Sequence, residues 1–161
     1  KLSRGLGDVY KRQGYKVSIG DKAPNLELNM LDGTRINLSE LLGQVVVLQF
    51  TASWCSVCIH EMPHLEKEVW LPFKDEGLML IGIDRDEPLE VVKKFKKQTG
   101  ITYPLALDPG AKHFSKFAHK NAGVTRNIVI DKKGNIAFLT RLFEKDEFEA
   151  MKQKIKLLLR E

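Results

Sequence analysis

The sequence predicts an α/β fold with a mixed central sheet and helices on both faces. Three observations carry that expectation. Val45 to Phe50 and Leu78 to Ile83 are nearly continuous apolar runs of strand length, as strands covered on both sides require. Helical apolar stripes lie between and after them. Two turn signals, Asp32-Gly33 and the stretch Asp131 to Asn135, separate short apolar runs and read as hairpins.

Taken in order, Leu26, Leu28 and Met30 alternate with polar residues, and Ile36 and Leu38 continue the alternation past the turn. This is an N-terminal β-hairpin. Ser39 is placed to cap a short helix that Gly43 ends. After the first apolar run, a helix from Cys58 to about Val69 sets Ile59, Met62, Leu65 and Val69 on one side, and Pro63 inside it predicts a kink. After the second run, a helix from Pro88 to about Gln98 opens with acidic residues and turns Val91, Val92 and Phe95 inward. Ile128 to Ile130 and Ile136 to Leu139 flank the second turn. A last helix from about Lys145 carries Phe148, Met151, Ile155 and Leu158 on one stripe. Strand, helix, strand, helix, hairpin and helix assemble as a mixed sheet.

Residues 1–13 show neither apolar period nor cap, so they read as a non-native or disordered leader, and residues 14–161 as one domain. No run of about 18 apolar residues is present to span a bilayer. Of the net charge of +5, +3 sits on the first 13 residues, from Lys1, Arg4, Lys11 and Arg12 against Asp8. Lys93, Lys94, Lys96 and Lys97 share their segment with Glu87 and Glu90, which is a solvated face rather than a phosphate track. Nucleic acid is therefore not an expected partner.

The two cysteines, Cys55 and Cys58, are too few for a disulfide framework, and a four-ligand zinc site needs two further ligands. A redox pair is the remaining reading. At i, i+3 in a first helical turn the two side chains share one side and lie within disulfide reach. The first of them faces unpaired N–H groups and the positive end of the helix dipole, which stabilise a thiolate. Cys55 is thus the expected nucleophile. Cys58, one turn deeper, is the thiol that attacks the mixed disulfide and releases the product. Trp54, at the strand end, reads as a wall beside the thiols.

Gly20-Asp21-Lys22-Ala23-Pro24, Trp54-Cys55-Ser56-Val57-Cys58, Glu61-Met62-Pro63, Gly123-Val124, Ile128-Val129-Ile130-Asp131 and Gly134 together resemble the TlpA and ResA-like thiol-disulfide oxidoreductases of the thioredoxin superfamily. The resemblance spans about Val17 to Leu159. It implies a thioredoxin-like fold with a strand-helix unit inserted after the first βαβ unit, and an enzyme that exchanges its dithiol with partner protein disulfides or dithiols. An upstream electron donor is implied, with no cofactor and no metal. The compartment stays open, with an extracytoplasmic setting, periplasmic or membrane-anchored, favoured over a cytoplasmic one. Glu61 matches an acidic residue placed near the pair in ResA-like proteins, where it can take or give the proton of the resolving thiol. The loop at Val124, Thr125 and Arg126 matches the one that lines the substrate groove.

Two positions depart from the pattern. Gln49 stands six residues before the first cysteine, where thioredoxins carry a buried acid. Thr125 occupies the place of a cis-proline, and a trans bond is expected there because a cis bond before a non-proline residue costs about 2.5–4 kcal/mol. Its hydroxyl should then face the cysteines. Two rival functions remain at this stage. One is a peroxiredoxin-like thiol peroxidase, in which Arg126 polarises a peroxide, although Ala52 stands where that chemistry places a Thr. The other is a copper- or metal-binding module using Cys55, Cys58, His60 and His64.

Overall fold

The structure, a computed structural model, describes residues 9–161. Side-chain alternation divides each central strand between two cores. In β3 (Val45–Thr51), all of it buried, Val46, Leu48 and Phe50 enter one apolar cluster while Val45 and Val47 enter the other. β1 (Glu27–Met30) and β2 (Arg35–Asn37) form the expected N-terminal hairpin. The remaining strands are β4 (Leu78–Arg85), β5 (Leu105–Asp108), β6 (Arg126–Ile130) and β7 (Ile136–Leu139). They form one seven-stranded sheet in the order β2-β1-β5-β4-β3-β6-β7. β3 runs parallel to β4, and β4 to β5, whereas the outer pairings are antiparallel.

The helices are α1 (Ser56–Leu65), α2 (Leu89–Thr99), α3 (Phe114–Phe117) and α4 (Lys145–Leu159). α1, α2 and α4 cover one face, burying Met62, Leu65, Val92, Phe95, Phe148, Met151, Ile155 and Leu158 against Val45, Val47 and Leu80. The other face is closed by short pieces, the 3₁₀ turns Leu38–Leu41 and Pro109–Ala111 together with α3. α2 and β5 supply the strand and helix expected after the first βαβ unit.

Local expectations differ from the structure in four places. Ser39 does not cap: the 3₁₀ turn starts after Asn37 without a side-chain cap, and the Ser39 N–H donates to Asn25 Oδ1 at 3.2 Å. The buried stripe of α1 is Cys58, Glu61, Met62 and Leu65, so Ile59, one residue out of phase, is 43% exposed. Val91 is exposed for the same reason beside Val92 and Phe95. Pro63 lies inside α1 without ending it, and beyond Leu65 the chain continues as a π-helical turn over Glu66–Trp70.

Two residues of the expected leader make contacts with the rest of the chain. Tyr10 is partly buried against the core and meets Tyr15 edge to face at 6.1 Å, while the Gln13 carbonyl accepts from Arg126 Nη2 at 2.8 Å. Tyr10 and Gln13 thus contact the folded chain. Residues 1–8 of the expected leader lie outside the described residues.

Candidate active site

β3 delivers the chain to the carboxyl edge of the sheet, where chemistry in open α/β folds gathers. The backbone turns at once: the Cys55 N–H donates to the Ala52 carbonyl at 3.1 Å. Cys55 is then the N-cap of α1, and its Sγ accepts the N–H of Cys58 at 3.2 Å. Cys55 and Cys58 are joined in a disulfide, with Cα atoms 5.3 Å apart. Cys55 is 8% exposed and Cys58 fully buried, so only the first sulfur borders solvent. Trp54 beside it is 65% exposed.

The opposite wall is the loop leading into β6. The Thr125 hydroxyl lies 3.1 Å from Cys55 Sγ and 3.2 Å from Cys58 Sγ. The Val124–Thr125 bond is trans, and both side chains are buried. The Thr125 carbonyl accepts the Leu142 N–H at 2.9 Å, which ties this loop to the segment after β7.

Arg126 is not placed as expected. Its side chain is fully buried, with Nε donating to the Gly123 carbonyl at 2.9 Å, Nη2 to the Gln13 carbonyl, and the guanidinium 4.5 Å over the Tyr15 ring. A residue so enclosed supports the loop from beneath. Adjacent strand residues point to opposite faces, and this sends Arg126 away from the groove.

Beneath the disulfide lies a polar layer. Glu61, on the inner stripe of α1, is 1% exposed. Asn127 Nδ2 donates to Glu61 Oε2 at 2.9 Å and to Thr140 Oγ1 at 3.1 Å. Gln49, opposite Asn127 across β3 and β6, accepts the Tyr103 hydroxyl on Oε1 at 2.7 Å. Gln49 Nε2 and Glu61 Oε1 lack a well-formed partner, yet the amide is near enough to act on the carboxyl. Burial pushes the Glu61 pKa up to about 7, against the lowering pull of Asn127 and Gln49, with a further upward push from the Glu147 charge. Tyr103 is held in turn by Glu66, whose carboxylate accepts from the Thr102 N–H at 2.8 Å, the Thr102 hydroxyl at 2.6 Å and the Tyr103 N–H.

The AhpC/TSA family matches residues 19–139. The chain belongs to that family. It is 35% identical over 121 residues to the thiol-disulfide oxidoreductase ResA of Bacillus cereus, covering 75% of this chain and 68% of that one. To ResA of Geobacillus kaustophilus it is 30% identical over 142 residues, covering 87% and 79%. A solution structure from Bacteroides thetaiotaomicron, provisionally described as a protein disulfide isomerase, superimposes with a TM-score of 0.89 at 54% identity, covering 92% and 94%. This member of the family is a thioredoxin-fold thiol-disulfide oxidoreductase.

His60 and His64 make other contacts. His64 Nδ1 lies 2.7 Å from Glu68 Oε2, and both His60 and His64 pack on Phe143. Among the described residues no group of three or more His, Cys, Asp or Glu side chains is arranged to hold a metal ion. The sequence reading overlooked Asn127, Thr140 and Tyr103. Each is a single polar residue in or beside an apolar run, and only strand register brings them together. Glu87, read as part of a solvated helix face, precedes α2 and accepts the Ser53 N–H at 2.7 Å.

Proposed function

We propose that the chain exchanges its Cys55/Cys58 dithiol with disulfides of partner proteins, with Cys55 attacking and Cys58 resolving. The observation that carries this reading is the asymmetry of the pair: Cys55 caps the helix, accepts the Cys58 N–H and borders solvent, whereas Cys58 is enclosed. Helix-start N–H groups favour the thiolate at the first position.

In the reduced chain the Cys55 thiolate attacks one sulfur of the partner disulfide and the other partner sulfur leaves as a thiolate. Cys58, having lost its proton, then attacks the Cys55 sulfur and expels the second partner thiolate. Two electrons pass to the partner and the pair returns to the disulfide seen here. A dithiol donor must restore them. Glu61, one helical turn beyond Cys58 and titrating near neutrality, is the group suited to take the Cys58 proton. Exposed Trp54 is the contact surface for the partner, with Val124 and Thr125 shaping the wall opposite.

The test uses the Cys58→Ser chain with a disulfide-bonded protein such as insulin. A persistent mixed disulfide through Cys55, mapped by mass spectrometry, is the expected product. Stable adducts formed instead through Cys58 in Cys55→Ser would reverse the roles.

A further inference from the structure

β4 is an apolar strand that carries a carboxylate next to its last residue. Asp84 lies opposite Thr51 of β3 and Leu107 of β5, is fully buried, and neither of its oxygens receives a hydrogen bond. The charged groups bearing on it are both anionic: Glu87 from the following loop and Asp108 from β5. Asp108 spends its own oxygens on the N–H groups of His113 and Phe114, at 2.8 and 3.0 Å, and His113 and Asp86 are the titratable groups that bear on it in turn. An ionised carboxylate in such a place has nothing to offset its lost hydration. A neutral acid has a use there, because the Glu87 carboxylate is within hydrogen-bonding reach.

Glu87 grips the redox loop with both oxygens. Oε1 accepts the Ser53 N–H at 2.7 Å and Oε2 accepts the Ser53 hydroxyl, two residues before Cys55. The neighbouring Arg85 reaches the other wall, donating to the Ala122 carbonyl at 2.9 Å and to the Lys120 carbonyl. The end of β4 thus holds both loops that frame the disulfide.

We propose that Asp84 is a positioning residue for the redox centre: as a neutral acid it donates to the Glu87 carboxylate, and Glu87 fixes Ser53 and with it Cys55 at the start of α1. The proposal rests on reading Cys55 as the attacking thiol. Burial first, then the hydrogen bond and charge of Glu87, then the charge of Asp108, push the Asp84 pKa up to about 9. For Glu87 burial acts upward, but the bonds from Asp84 and Ser53 outweigh it and hold the pKa low. One proton therefore serves the pair through neutral pH. Once Asp84 ionises, two carboxylates face each other and the hold on Ser53 loosens.

The test follows the Asp84 carboxyl carbon and the Ser53 amide by NMR from about pH 6 to about pH 10, with Asp84→Asn giving the assignment. The expected result is one shared alkaline midpoint, absent from the Ser53 amide in Asp84→Asn, whose side-chain amide donates without titrating. Cys55 alkylation of the reduced chain at neutral pH should slow about tenfold in Asp84→Leu and stay within about twofold in Asp84→Asn. An Asp84 midpoint in the ordinary carboxylate range, or a Ser53 amide indifferent to it, would overturn the proposal. So would equal alkylation rates in the wild type and both variants. If the wild type alkylates first at Cys58, the reading of Cys55 fails instead, and the Ser53 titration still judges the acid pair.

Discussion

The Thr125 hydroxyl stands 3.1 Å from the Cys55 sulfur and touches the Cys58 sulfur almost as closely. A hydroxyl so placed can donate to the Cys55 thiolate once the disulfide opens. Thr125→Val removes that donor and keeps the shape, and one hydrogen bond to a charged sulfur corresponds to about one pKa unit. The pKa of Cys55, read from iodoacetamide rates across pH, should rise by about that amount in Thr125→Val and stay near the wild-type value in Thr125→Ser.

Cys55→Ser should abolish reduction of protein disulfides, and Cys58→Ser should stall at the mixed disulfide. Turnover of insulin disulfides with a dithiol donor measures the first effect, and a gel shift reversed by reductant measures the second. Retained turnover in Cys55→Ser would show that the capping position is not what makes a sulfur the nucleophile.

Glu61 links the site to pH. Its folded pKa is raised from 4.5 to about 7, chiefly by burial, so between those values the folded chain keeps a proton that the unfolded chain has released. Stability contributed by the neutral acid is complete below about pH 4.5 and is lost as pH rises through about 7. Glu61→Gln should remove this dependence and raise stability at pH 8 by up to about 3 kcal/mol, measured by urea unfolding. The same variant should lose the neutral-pH inflection in Cys58 reactivity. Parallel unfolding curves at pH 5 and pH 8 in wild type and variant would reduce Glu61 to a filler of space.

Gly82 is where the polar layer needs an absent side chain. A Cβ there would run into Leu105 and stand 3.2 Å from Gln49 Oε1 and 3.3 Å from the Tyr103 ring. Gly82→Ala should cost about 1–3 kcal/mol, read as a lowered melting temperature. An unchanged melting temperature would mean that Leu105 and the Tyr103–Gln49 bond shift without cost.

By itself the sequence determined the central strands, both hairpins, the inner stripe of α4 and the dithiol at a strand-to-helix junction. These are local patterns: apolar runs, turn residues and helical periodicity act within a few residues of chain. Tertiary structure decided what depends on register and phase. Glu61 is buried because the α1 stripe starts at Cys58, a shift that also exposes Ile59. Arg126 turns under its loop because strand residues alternate, and this same alternation puts Thr125 against the sulfurs. Gln49, Tyr103 and Asn127 meet only when β3, β6 and the segment before β5 are assembled. Asp84 and Glu87, unremarkable in the linear chain, become an acid pair, Asp84 buried and Glu87 partly so, for the same reason. A polar residue acquires its role from the partners that long-range packing brings: Asn127 lies 66 positions from Glu61, and Thr125 lies 70 from Cys55.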